Sequence, residues 1–230
     1  MKSLRISRWT LLAVTACALS ACFDLDQDVS IHRDGSGTYR MTIKAEGAIG
    51  TALKDDKKSK NDMLSPNKAV VTTEVRGGKV VKTARVDFQK LSDVVLDDEN
   101  VSLTVRDHGW FGVTPSHVRF RRTFMVDAAR AREKAPSASD DQIGKDMIKG
   151  IFGDHTYSFS VTLPGSIDRI APVKIDGVEV KPDVSGDFYH GHTIVWRMPL
   201  TMLFETNRLT FEADFSALGS FNNVQTRKAR

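Results

Sequence analysis

The seven residues YSFSVTL (residues 157–163) decide the fold class, because apolar and polar side chains alternate along them without a break. In an extended strand the four apolar side chains point to one face, and the two serines and the threonine point to the other. Such alternation is typical of a sheet that has one face on a core and the other face in water or against polar groups. Pro164-Gly165 follows directly and ends the strand.

The same alternation recurs along most of the chain. It is found at residues 29–33, 39–43, 70–76, 80–88, 101–105, 118–126, 194–198 and 209–215. Gly-rich turns at residues 34–37 and 77–78 join neighbouring runs into hairpins. Helical spacing replaces the alternation around Ile49 and Leu53, at residues 127–134 and in an apolar stripe within residues 139–152. These patterns predict an α+β domain, built on a curved antiparallel sheet of about eight strands with two or three helices packed on one face.

The amino terminus has the features of a secretory signal. Lys2, Arg5 and Arg8 precede an uncharged run that is shorter than the roughly 20 apolar residues of a spanning helix. The run ends in Leu-Ser-Ala-Cys (residues 19–22), which resembles the lipobox of bacterial lipoproteins. That resemblance implies cleavage before Cys22 and a diacylglycerol on its sulfur, so that the acyl chains anchor the protein in a membrane without a spanning helix. Phe23, rather than Asp, follows the cysteine, which by the same resemblance implies the periplasmic face of the outer membrane.

Ordinary secretion, with Cys22 as a free or disulfide-bonded thiol, is the alternative. Cys17, the other cysteine of the chain, would leave with the signal, and a lone thiol is a liability in an oxidising compartment. We therefore predict a signal peptide at residues 1–21, a single lipoprotein domain at residues 22–218 and a polar, disordered tail at residues 219–230.

Composition limits the function classes. The chain is 40% hydrophobic and 27% charged, as expected of a globular protein. The formal charge of +4 falls to +1 when the three basic residues of the signal are removed. Nucleic acid is therefore not an expected partner, because it favours a concentrated basic face.

Three short motifs together resemble the LppM-like bacterial lipoproteins. They are the lipobox followed by a strand and an Asp-Gly-Ser-Gly turn (residues 22–37), a strand ending in Leu-Pro-Gly (residues 159–165) and a late stretch that contains Trp-Arg-Met-Pro-Leu (residues 193–200). The resemblance implies an antiparallel sheet with helices and the binding of a lipid or glycolipid, and it implies no catalytic residues. Several members of that family end in a membrane-spanning helix, whereas residues 219–230 are polar.

Three side chains are candidates for contact with a ligand or a membrane. Trp110 and Phe111 are large apolar residues in a predicted loop, where they either pack on the domain or reach lipid. Arg122 interrupts the apolar side of a strand; it can pair with a buried acid, reach a ligand or lie at the rim of the sheet.

Catalytic and metal-binding motifs are weak. The chain has no Gly-x-Ser-x-Gly elbow and no His-Glu-x-x-His helix. His190 and His192 would share one face of a strand and could bind zinc, with a third ligand from Asp187 or His155, but a loop with two exposed histidines is the simpler interpretation.

We therefore expect no cofactor and no enzymatic activity, with a metal-dependent hydrolase as a weak alternative. The favoured hypothesis is a membrane-anchored envelope lipoprotein that binds a lipid, glycolipid or other amphipathic ligand. The second hypothesis is an interaction module that docks on another envelope protein through a sheet edge or the polar strand face.

Overall fold

A computed structural model describes most of the chain after Cys22. The described residues are 23–55, 69–91, 99–109, 114–125, 153–175, 177–187, 191–206, 208–218 and 221. They form three sheets of seven, four and two strands, together with two short helices.

The largest sheet contains, in order across it, β11 (Asp183–Asp187), β12 (Gly191–Pro199), β7 (Thr156–Leu163), β1 (Phe23–Ile31), β2 (Gly37–Ala45), β4 (Lys79–Phe88) and β3 (Val70–Arg76). The second contains β5 (Glu99–Asp107), β6 (Ser116–Met125), β13 (Arg208–Ala217) and β8 (Ser166–Ile170). The third pairs β9 (Val173–Ile175) with β10 (Val178–Val180). Helix α1 (Gly47–Asp55) follows β2, and helix α2 (Thr201–Glu205) lies between β12 and β13.

The alternating sequence runs form strands as predicted. The four apolar side chains of YSFSVTL are fully buried in β7, and the hydroxyl side chains between them are partly exposed. The β1–β2, β3–β4 and β5–β6 pairs are antiparallel, as expected. The short helix predicted around Ile49 and Leu53 is also confirmed, as α1.

The core lies between the two larger sheets. Phe159 of β7 and Trp196 of β12 stack at 5.7 Å between ring centroids, and Phe211 of β13 approaches them to 4.6 Å and 5.1 Å. Phe120 of β6 stacks on Phe159 at 6.3 Å. Rings from the seven-stranded sheet therefore meet rings from the four-stranded sheet, which makes this part of the molecule a two-layer β structure.

The predicted α+β class, one curved sheet covered by helices, is wrong, because the described residues are mostly β and form several sheets. The apolar face of the seven-stranded sheet packs, around β7 and β12, against the apolar face of a second sheet. The helices predicted at residues 127–134 and 139–152 lie outside the described residues. The sheet also contains a parallel pair, β1 with β7, which the sequence did not indicate. Alternation shows which face of a strand is apolar, but it does not show which strand pairs with it in the sheet.

Phe221 also belongs to the core. It falls in the segment 219–230, which we predict to be a polar tail, yet it is buried and its ring meets Phe215 edge to face at 5.9 Å.

Candidate functional site

A polar cluster lies inside the core, between the two larger sheets. Arg122 of β6 is fully buried, and its Nη2 donates a hydrogen bond to Oε1 of Gln27 on β1. The hydroxyl of Tyr157 on β7 donates to the same oxygen at 2.8 Å. The Arg122 guanidinium carbon also lies 4.4 Å from the centroid of the Phe159 ring, within the range of a cation–π contact. Arg122 therefore faces inward and connects the two sheets through a neutral amide.

An apolar strip adjoins this cluster on the inner face of β1 and β2. Met41 lies opposite Gln27, and Leu25 lies opposite Ile43 one step nearer the start of β1. These apolar side chains and Phe23 are partly exposed, whereas Val29 and Tyr39 further along the same strands are buried. We call Phe23, Leu25, Met41 and Ile43 the apolar strip. A polar group at its inner end and a partly exposed apolar floor are the two features that an amphipathic ligand requires.

The start of β1 is held firmly in the sheet. The backbone N–H of Phe23 donates to Nδ1 of the buried His155 at 3.0 Å, and the N–H of Thr156 donates to Oδ1 of Asp24 at 3.1 Å. β1 is the middle strand of the seven. The residue that follows Cys22 in the sequence therefore already belongs to the central strand, with no spacer between them.

A charged network covers the outer face of the four-stranded sheet. Arg119 donates to both carboxylate oxygens of Asp214, at 2.7 Å and 3.0 Å. Arg169 donates to Asp214 at 3.0 Å and to Glu212 at 2.9 Å. The hydrogen bonds from Arg119, helped by those from Arg169, hold the pKa of Asp214 below its ordinary value, although burial alone would raise it. The same pairing raises the pKa of Arg119.

Ser216, His117 and Asp168 meet at one end of this face, but their geometry is not that of a nucleophilic triad. Ser216 Oγ donates to Asp168 at 2.5 Å, and it lies 2.9 Å from Nδ1 of His117. That same Nδ1 lies 3.3 Å from the Asp168 carboxylate. In a triad the two ring nitrogens serve the nucleophile and the acid separately. Here the serine proton is directed at the carboxylate, so the arrangement does not activate the hydroxyl.

The remaining predicted site residues are less informative. Cys22, Trp110, Phe111 and His190 lie outside the described residues. Nδ1 of His192 lies 2.6 Å from the carbonyl oxygen of Gly165, at the corner between β7 and β8. Among the described residues, no three side chains of the His, Cys, Asp and Glu types lie close enough together to hold a metal ion.

Several residues of these sites were missed by sequence reasoning. Gln27 looks like an ordinary polar residue in an alternating strand, although its position on the apolar side of β1 was visible in the sequence. Glu212 and Asp214 alternate with apolar residues in β13, as Arg119 and Arg121 do in β6. The alternation could have placed each pair on an outer face, but only the register of β6 with β13 brings them together.

Comparisons with known proteins give a structural likeness but no match to a sequence family. No protein-family model matches the chain, and no curated protein is similar to it. The fold is similar to the NMR structure of the folded domain of LppM from Mycobacterium tuberculosis, with a TM-score of 0.42 and 13% sequence identity. The likeness covers 88% of this chain and 94% of that chain.

Within the described part of the chain, neither helix is long and apolar enough to cross a bilayer.

Proposed function

We propose that the protein is a noncatalytic lipoprotein of the bacterial cell envelope, anchored by acyl chains on Cys22, that binds an amphipathic ligand along the apolar strip. The lipobox sequence supports the anchor, and Phe23 after the cysteine supports the periplasmic face of the outer membrane. The observation that carries the ligand proposal is the partly exposed strip beside Gln27, Tyr157 and Arg122.

The position of the anchor supports this assignment. Because β1 begins at Phe23, the lipidated cysteine would hold that end of the seven-stranded sheet directly against the bilayer. The apolar strip starts at the same end, with Phe23 and Leu25. An amphipathic molecule could then pass from the membrane to the strip without crossing much water, with its polar group at the Gln27 end.

Lipid analysis of the purified protein tests the ligand proposal. The full-length lipoprotein is extracted in a mild nonionic detergent, and its bound lipids are identified by native mass spectrometry. We expect one lipid class at a fixed stoichiometry in the wild type, and its loss in Met41→Lys, which places a charge in the strip. Thr42→Lys is the matched control, because the next residue of β2 points to the outer face. A wild type without lipid, or equal lipid in both variants, would contradict the proposal, provided that both variants unfold cooperatively.

A second candidate function rests on the edge strand β3. Val70, Val71 and Val75 are 66%, 51% and 58% exposed, and β3 is the last strand of its sheet. An exposed apolar edge is a ready template for an added strand. We propose as a second function that an extended segment of another envelope protein pairs with β3.

A second copy of this chain does not suit that edge. β2 is antiparallel to both β1 and β4, and β3 is antiparallel to β4, so β3 runs opposite to β1. Two copies paired antiparallel through β3 would place their Phe23 ends, and hence their anchors, at opposite ends of the joined sheet.

Site-specific photo-crosslinking in cells tests the edge. A crosslinker at Val71 should give one discrete product that is lost when Val75→Lys is added. The control position is Arg197, which is exposed on the outer face of β12. The same products from both positions would exclude strand addition at β3.

A further inference from the structure

The outer face of the four-stranded sheet concentrates arginines around two carboxylates. Four arginines from three strands surround Glu212 and Asp214 of β13: Arg106 of β5, Arg119 and Arg121 of β6 and Arg169 of β8. We call these four residues the arginine cluster. The four positive charges of the arginine cluster exceed the two negative charges of Glu212 and Asp214 by two.

The carboxylates lie beneath the guanidinium groups. The side chains of Asp214 and Glu212 are 12% and 15% exposed, whereas those of Arg106, Arg121 and Arg169 are 55%, 48% and 54% exposed. A molecule that approaches this face therefore meets guanidinium N–H groups before it meets a carboxylate. Guanidinium groups match the oxygens of phosphate in pairs and bind them in preference to neutral groups.

The four arginines differ in how firmly they are held. Arg119 and Arg169 make hydrogen bonds of 2.7–3.0 Å with the two acids. Arg106 lies at 3.5 Å from Asp214, and Arg121 lies at 3.9 Å from Glu212. The tight pairs already neutralise the acids, which leaves Arg106 and Arg121, at the longer distances, able to turn toward an anion.

Two irregularities in the sheet border the cluster. The pairing of β5 with β6 shifts between Val105 and Asp107, so Arg106 is the extra residue of a bulge. The pairing of β13 with β8 shifts between Asp214 and Phe215, where Asp168 is the extra residue. Bulges re-aim side chains and are enriched beside functional sites. From the first bulge, Arg106 reaches across β6 to lie 3.5 Å from Asp214.

Neighbouring negative charge limits the size of the site. Asp107 and Asp168 lie at the end of the face, where Asp168 is hydrogen-bonded to Ser216. The acids contacted by Arg106 and Arg121 are two residues apart on β13, or about 7 Å at the usual strand rise. This spacing suits a compact group with two or more negative charges.

We propose that the arginine cluster binds phosphate-bearing ligands through Arg106 and Arg121, while Arg119 and Arg169 stay hydrogen-bonded to Asp214 and Glu212. The phosphate can come from a small soluble anion or from the headgroup of an anionic lipid, because both present the same oxygens. The cluster lies on the outer face of the four-stranded sheet, whereas the apolar strip lies on the inner face of the other sheet. The failure of one proposal therefore leaves the other standing.

NMR of the arginine side chains tests the cluster. The full-length protein in nonionic detergent micelles is titrated with inorganic pyrophosphate, and separately its micelles are doped with phosphatidic acid or, as a neutral control, phosphatidylcholine. We expect the Nε–H signals of Arg106 and Arg121 to shift and saturate in at least one anionic arm. Saturation with pyrophosphate identifies a soluble anion, and a response to phosphatidic acid alone identifies a lipid headgroup. No response in either arm would overturn the proposal.

A pair of double variants separates a site from general positive charge. Arg106→Gln with Arg121→Gln should weaken binding at least about tenfold, because the two guanidinium groups proposed to contact the anion are lost. Arg33→Gln with Arg40→Gln changes the net charge equally at two exposed positions, one in the turn between β1 and β2 and one on β2, and it should leave binding unchanged. Equal weakening by both double variants would show non-specific attraction and contradict a site. Retention of the backbone spectrum in each variant shows that the fold is intact.

Discussion

The contact between Phe159 and Phe211 offers the sharpest test of the two-sheet core. Their centroids are 4.6 Å apart, and one ring comes from each of the two larger sheets. Phe159→Leu and Phe211→Leu each remove a ring but keep an apolar side chain, so each should destabilise the protein by about 1.5 kcal/mol. In a domain of this size that corresponds to a fall in Tm of roughly 3–6 °C.

The double variant gives the decisive number. Aromatic pairs contribute about 0.5–1.5 kcal/mol beyond the area that they bury, so the second substitution should cost less once the first ring is gone. We expect a coupling free energy of about 1 kcal/mol from chemical denaturation of the two single variants and the double variant.

A control cycle uses Phe159 and Phe88. Phe88 is also buried, but β4 is separated from β7 by β1 and β2, which places the two strands about 14 Å apart at the usual spacing. Their effects should add to within about 0.3–0.5 kcal/mol. A Phe159–Phe211 coupling no larger than that of the control would refute the face-to-face packing of the two sheets.

Three further predictions follow from single contacts. The pKa of Asp214 is lowered in the folded state, so ionised Asp214 stabilises the fold above its ordinary pKa, and this stabilisation is lost as the pH falls through the lowered value. Asp214→Asn should therefore lower the free energy of unfolding by about 2 kcal/mol at neutral pH. It should also make the free energy of unfolding less dependent on pH in the acid range. Gly165 has φ +99°, and a Cβ added there would lie 2.3 Å from the carbonyl oxygen of Ser216. Gly165→Ala should therefore lower the free energy of unfolding by about 1–3 kcal/mol in a urea titration. Arg122→Ala should cost about 2 kcal/mol more than Arg122→Met in the same assay, because methionine keeps most of the buried volume; equal costs would show that packing around Arg122 is unimportant.

Most of the strands were predictable because each one carries its own alternating pattern. In β7 and β12 the apolar residues recur at every second position, and the same residues are buried in the structure. The Gly77-Gly78 sequence likewise predicts the β3–β4 hairpin. Both glycines have positive φ in the structure, which other residues adopt at a cost. Local sequence was sufficient for the hairpins β1–β2, β3–β4 and β5–β6, but it did not indicate β8 or β11, which lack a long alternating apolar run.

The layering was not predictable, because it depends on contacts between distant strands. β1 pairs with β7 across more than a hundred residues, and Arg122 meets Gln27 across a similar separation. The sequence showed that Arg122 interrupts an apolar face, but not that its partner would be an amide on the other sheet. The arginine cluster similarly depends on the registers of β6, β13 and β8, and on a bulge at Arg106 that no local pattern marks.

The mass of the amino-terminal peptide shows whether Cys22 carries the lipid anchor. The protein is purified from membranes and digested, and the peptide that contains Cys22 is analysed by mass spectrometry. We expect this peptide to begin at Cys22 and to carry the added mass of a diacylglyceryl group on its sulfur. An unmodified Cys22, or a mature protein that begins elsewhere, would contradict the lipid anchor and the placement of the β1 end against the bilayer.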